Sequence, residues 1–125
     1  MIVDTNAVSL FAQGNPAARE VIARNDEPYL PVIVIGELRY GLMSSRHRAA
    51  TSSWLDQLLE QWPILDITKD TAEEYSRIRQ WLKENARPIP ANDMWIAALA
   101  RQHSMPVLTN DKHFDDIPGV EVIGW

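Results

Sequence analysis

Apolar residues in this chain fall into short β-branched runs and longer stripes at helical spacing, and the two kinds alternate. Ile2-Val3 is a run of the first kind, suited to a strand buried on both faces. Residues 7–14 read as a loop or short helix. Asn15-Pro16 then opens a helix, with Asn as cap and Pro in the first turn. Ala18, Val21 and Ile22 form its apolar stripe, and Asn25-Asp26 ends it. Tyr29-Leu30, between two prolines, allows at most a short strand. Val32 to Ile35 is β-branched, but Val34, Leu38 and Leu42 keep helical spacing, so a helix is expected over about 31–45. Trp54, Leu55, Leu58, Leu59 and Trp62 give the next helix, about 49–61, a wide apolar face.

Pro63 breaks that helix, and residues 64–67 read as a strand. Thr68 or Asp70 caps a helix over about 71–85, where Thr71, Tyr75, Ile78 and Leu82 recur every three or four residues. Residues 87–91 form a stiff proline loop. Asn92 is the expected cap of an alanine-rich helix over 93–103. Residues 106–109 and 120–123 close the series as strands, with Asn110-Asp111 turning the chain between them. Strands alternating with helices predict an α/β fold, a three-layer α/β/α sandwich around a central parallel sheet.

A chain of 125 residues with 46% hydrophobic content is expected to fold as one domain with a substantial core. It contains no cysteine, which excludes disulfides and thiolate metal sites. No apolar run approaches the roughly 20 residues that span a bilayer, and no leader precedes Asp4, so a cytoplasmic location without membrane contact is expected. The net charge of −5 argues against nonspecific nucleic-acid binding by a bare surface. A bound cation would reverse that field locally.

Four acids stand in chemically suggestive places. Asp4 and Asp111 each follow a predicted strand, and ligand sites of open α/β sheets lie beyond the carboxyl ends of strands. Glu37 interrupts the apolar stripe of its helix, with Ile33, Val34, Tyr40 and Gly41 three and four residues away. Asp93 opens a helix on the same face as Ile96, Ala97 and Ala100. Each has an ordinary explanation. Asp93 suits a helix N-terminus, Asp111 a turn and Asp4 a strand-end cap; Glu37 has Arg39, Arg46 or Arg48 as possible partners. On one edge, the four would form an oxygen-only site of the kind that holds Mg2+ or Mn2+. Such a site activates water for in-line displacement at a phosphodiester.

Four segments carry a family resemblance. They are Met1-Ile2-Val3-Asp4-Thr5-Asn6, residues Ile35 to Gly41, residues Pro90 to Ala98, and residues Leu108 to Phe114. In this order and over essentially the whole chain, they resemble the PIN-domain family, and within it the VapC-type toxins of toxin–antitoxin pairs. The resemblance implies one PIN domain over 1–125 and Mg2+- or Mn2+-dependent endoribonuclease activity. It places Asp4 and Asp93 as principal metal ligands, with Glu37 and Asp111 completing the catalytic cluster. Thr5, Asn6, Thr109 and Asn110 match its supporting polar positions. The implied partners are a VapB-type antitoxin protein, an RNA substrate such as transfer RNA, and a second copy of the chain in a homodimer.

Other residues suggest less. Trp54, Trp62 and Trp81 lie on or beside apolar stripes and read as packing, while Trp95 is near enough to Asp93 to line the site. His47, His103 and His113 share no metal spacing and read as surface residues. A haloacid-dehalogenase-type phosphatase is the alternative enzyme, but it needs an acid two residues after its nucleophile, where this chain has Asn6. A non-catalytic binding module is the other alternative, and four intact acids count against it.

Overall fold

The computed structural model describes residues 1–125. In chain order the elements are β1 (Ile2–Val3), α1 (Thr5–Ala12), α2 (Pro16–Arg24), β2 (Leu30–Pro31), α3 (Val32–Leu42) and α4 (Arg48–Gln61). Then come β3 (Ile64–Leu65), α5 (Lys69–Glu84), α6 (Ala91–His103), β4 (Val107–Leu108), a 3₁₀ turn (Lys112–Phe114) and β5 (Val122–Ile123).

All strand pairs are parallel. β1 pairs with β4 and β4 with β5, while β2 pairs with β3. A bridge between Ile2 and Tyr29 joins the two sets, so the strands run in the order β3-β2-β1-β4-β5. Successive strand residues point to opposite faces. Ile2 and Val3 are both fully buried, as are Val107 and Leu108, so helices cover both faces of the sheet. This is the expected three-layer α/β/α arrangement. The chain builds outward from β1 to β3, then returns past β1 to lay down β4. The β1/β4 boundary is therefore the topological switch point, where ligand crevices form in such sheets.

Local chemistry explains most element ends. Asn15 caps α2 by accepting from Ala18 N at 3.0 Å, with Pro16 in the first turn. Thr68, not Asp70, caps α5, in a reciprocal box with Thr71. The expected Asn92 cap is absent. α6 begins two residues earlier than expected, at Ala91, with Pro90 in the cap position and no side-chain cap bond. That shift makes Asp93 the third residue of the first turn rather than the first. The segment 7–14 is a true helix that starts earlier, at Thr5, because Asp4 caps it.

The helix predicted for 31–45 stops at Leu42, and the strands are shorter than the apolar runs suggest. Residues flanking each strand leave the ladder to enter loops. The core gathers Ile2, Val3, Leu30, Val34, Ile96, Leu108 and Phe114 around the sheet. No helix is long and apolar enough to cross a membrane.

Candidate active site

Parallel pairing decides where the first acid lies. Ile2 faces Val107 and Val3 faces Leu108, so the next pair is Asp4 and Thr109. The ladder continues that far: Asp4 N donates to Leu108 O at 3.1 Å, and Thr109 N to Ile123 O at 3.0 Å. Paired positions on neighbouring strands share a face, and the Thr109 hydroxyl donates to Asp4 Oδ2 at 2.8 Å. Asp4 Oδ1 accepts from Thr5 N at 2.8 Å, which caps α1. Thr109 Oγ1 also accepts from Asp111 N at 2.9 Å and from Asn6 Nδ2 at 3.3 Å. One hydroxyl thus donates its single proton to Asp4 and accepts from Asp111 N and Asn6 Nδ2.

The other acids approach from helices and a turn. On α3, Glu37 Oε1 accepts from the Thr5 hydroxyl at 3.2 Å. The arginine pairing considered for Glu37 does not form, because Arg39 turns to Asp56 and Ser52 instead. No lysine or arginine pairs with any of the four acids. Asp93, in the first turn of α6, is buried at 8% exposure. Asp111 caps the 3₁₀ turn by accepting from His113 N at 2.9 Å, so it is a turn residue that also faces the cluster.

His113 corrects the sequence reading. It lies at the surface, as expected, but it contacts two of the acids. Its Nδ1 lies 2.9 Å from Asp93 Oδ2 and 3.0 Å from Asp111 Oδ1. The available signal was its position two residues after an Asp that turns the chain. An Asx turn folds residue i+2 back over the carboxylate.

Two other expected residues lie apart. Asn110 is exposed and accepts from Trp125 N, away from the acids. Trp95 stacks on Tyr75 with ring centroids 3.9 Å apart, so it packs α6 against α5 and does not line the cluster. Asn6 donates to Thr109, where the phosphatase alternative would need a proton-carrying acid.

The electrostatics show mutual coupling. Burial raises the Asp4 carboxyl above its ordinary range; hydrogen bonds from Thr109 and Thr5 offset part of this, and the Asp111 charge adds to it. Glu37 is raised by burial, against the Thr5 hydrogen bond, with further repulsion from Asp4 and Asp93. Asp93 is raised by burial, eased by the His113 hydrogen bond, and pushed up again by Asp4 and Asp111. His113 is raised, chiefly by its bond to Asp93. Asp4, Glu37 and Asp93 each feel at least one other acid, and the His113 imidazole lies against Asp93 and Asp111.

The residues fit a divalent cation. The donor set is rich in carboxylate oxygen, the charge is uncompensated, and Asn6 Oδ1 is buried without a hydrogen-bond partner. Asp93, Asp111 and His113 place one donor atom each within 4.8 Å of one another.

A PIN-domain family model matches residues 1–120. The chain is 32% identical over 128 residues to ribonuclease VapC5 of Mycobacterium tuberculosis, covering 98% of this chain and 93% of that protein. It is 31% identical over 121 residues to toxin FitB of Neisseria gonorrhoeae, covering 89% and 87%. Among solved structures, VapBC2 from Rickettsia felis bound to a promoter DNA fragment superposes with a TM-score of 0.88 at 27% identity, covering 99% of this chain and 97% of that one. The chain belongs to the PIN-domain family.

Two outcomes follow for stability. Thr109→Val keeps the shape but leaves Asp4 Oδ2, Asp111 N and Asn6 Nδ2 without their shared partner. Urea unfolding should show a loss of about 1–3 kcal/mol, with Thr109→Ser retaining most of the wild-type value. Asp93→Asn removes a repelled charge, so in EDTA at pH 8 its thermal midpoint should equal or exceed that of the wild type. A raised folded pKa means the native state takes up a proton as pH falls, so the wild type recovers stability on acidification and the Asn advantage shrinks. The His113 shift has the same sign, being stabilising at low pH and lost as pH rises. A midpoint that falls sharply for Asp93→Asn at pH 8 would mark Asp93 as a structural ion-pair partner instead.

Proposed function

We propose that residues 1–125 form one PIN domain acting as a divalent-metal-dependent endoribonuclease, the toxin of a VapBC-type toxin–antitoxin pair. The convergence of Asp4, Glu37, Asp93 and Asp111 on the β1/β4 switch point carries the reading. The full-length similarity to proteins named ribonuclease VapC supports it. Asp4 and Asp93 would be the principal ligands of Mg2+ or Mn2+, with Glu37 and Asp111 completing the site. When bound, the ion supplies Lewis acidity toward the phosphodiester and lowers the pKa of water.

The chain's own residues do the positioning. Thr109 and Thr5 hold both oxygens of Asp4. Thr5 also holds one oxygen of Glu37, whose other oxygen carries no hydrogen bond and is open to water. Asn6 Oδ1 adds a neutral acceptor beside Thr109. RNA is the substrate class, and transfer RNA is a candidate within it.

The proposed protein partner is a VapB-type antitoxin. A groove of about 610 Å³ runs between α1, α3 and α4, lined by Val8, Ala12, Leu38, Leu42, Trp54 and Leu55, with Thr5 and Glu37 also on its wall. An amphipathic helix suits such a groove, and an arginine beyond it would reach the acids. Leu58 belongs to the core, Trp62 packs on Phe11, and Val32 and Ile35 do not line the groove. A homodimer is proposed as well, using apolar surface such as the exposed Tyr40 and Met43 of the α3 end.

Chelation should abolish cleavage of total RNA by the purified chain, and Mg2+ or Mn2+ should restore it. Asp93→Asn should remain inactive with either ion. Full activity in excess EDTA would overturn the mechanism. For the partner, Leu42→Glu and Trp54→Glu should each weaken binding of the protein encoded beside this chain by tenfold or more, about 1.4 kcal/mol, in a titration. Unchanged affinity would place the docking surface elsewhere.

A further inference from the structure

His113 contacts two of the acids, and the proposed reaction gives it no role. It is 45% exposed at its side chain, on a turn where solvent is freely available. Its ring nonetheless points inward, and Nδ1 sits between two carboxylates. The turn itself explains only the backbone contact, His113 N to Asp111 Oδ1.

The distances match a specific geometry. Nδ1 is 2.9 Å from Asp93 Oδ2 and 3.0 Å from Asp111 Oδ1. An octahedral ion with ligands at about 2.1 Å sets adjacent donors about 3.0 Å apart. Nδ1 thus stands from each oxygen at a distance that suits a hydrogen bond without an ion and adjacent ligands with one, and all three atoms lie within 4.8 Å of one another. The His113 and Asp111 side chains are 45% and 32% exposed, so solvent reaches this side of the cluster.

The geometry points to His113 Nδ1 as a direct ligand of the site's divalent ion, between Asp93 and Asp111, giving the centre a preference for manganese-like transition ions over Mg2+. This rests on the reading of the cluster as a metal site. Without an ion, Nδ1–H donates to the carboxylates. With an ion, the ring carries its proton on Nε2 and turns the Nδ1 lone pair inward. Mg2+ favours an all-oxygen shell and gives up water reluctantly, whereas imidazole nitrogen suits first-row transition ions better.

The test uses the full chain stripped with chelator, with Mn2+ or Mg2+ alone as the probe and no RNA. Electron spin-echo modulation of the Mn2+-loaded chain should show coupling to one nitrogen, and His113→Ala should lose it. Calorimetric titration should show Mn2+ binding weakened about tenfold or more in His113→Ala, with Mg2+ binding changed far less. Mn2+ bound without nitrogen coupling would overturn this assignment alone, making His113 a hydrogen-bonding clamp on the two carboxylates. Equal losses for both ions would overturn the preference. No binding of either ion would overturn the metal reading with it.

Discussion

The candidate site depends on one hydroxyl between two strand ends. Because β1 and β4 run parallel and in register, Thr109 stands beside Asp4, and its Oγ1 satisfies Asp4, Asp111 and Asn6 together. Asp4 and Asn6, 105 and 103 positions away in sequence, are thereby tied to the same atom as Asp111, two positions away. A charge-assisted hydrogen bond of this kind contributes about 1.5–3 kcal/mol. Much of its consequence is geometric, since it fixes the carboxylate that also caps α1. The strand, the helix start and the acid cluster share a single anchor.

That anchor holds groups that would otherwise separate. Burial and mutual repulsion raise the carboxyls of Asp4, Glu37 and Asp93, so the arrangement costs stability in the charged state. No lysine or arginine relieves it; Arg39, the nearest in sequence to Glu37, is engaged by Asp56. The surrounding core supplies the compensation. Ile96, Ala97 and Ala100 bury the face of α6 that carries Asp93, and Ile2, Val3 and Leu108 bury the strands leading to Asp4 and Thr109. A site under electrostatic tension on a fully buried scaffold is what a cation-binding centre requires. The same tension makes the cluster sensitive to pH and to charge-removing substitutions.

α3 links the acids to the apolar groove. Glu37 belongs to both, while Leu38 and Leu42 continue along the groove wall. A partner seated against Leu42 and Trp54 would lie one or two helical turns from the carboxylates. On the proposed function, inhibition could then combine apolar affinity in the groove with charge pairing at its end.

The sequence alone determined the order of elements and the identity of the four acids. β-branched runs and three-to-four spacing are local signals, and they located α2 to α6 to within a few residues, while α1 was open between loop and helix. An acid on an apolar helical stripe, as at Glu37, or directly after a buried strand, as at Asp4, is conspicuous without a structure because burying it uncompensated is costly. The tertiary structure decided what no local pattern encodes. It set the register that makes Thr109 the hub, turned Asn110 away to the chain end and Trp95 onto Tyr75, and moved Leu58 into the core. It also brought His113 to Asp93, twenty residues distant, through a turn whose direction depends on how β4 leaves the sheet. Hydrophobic periodicity reports which face of an element is buried. Which side chains meet across elements depends on strand register and loop direction, and those are fixed only when the whole sheet assembles.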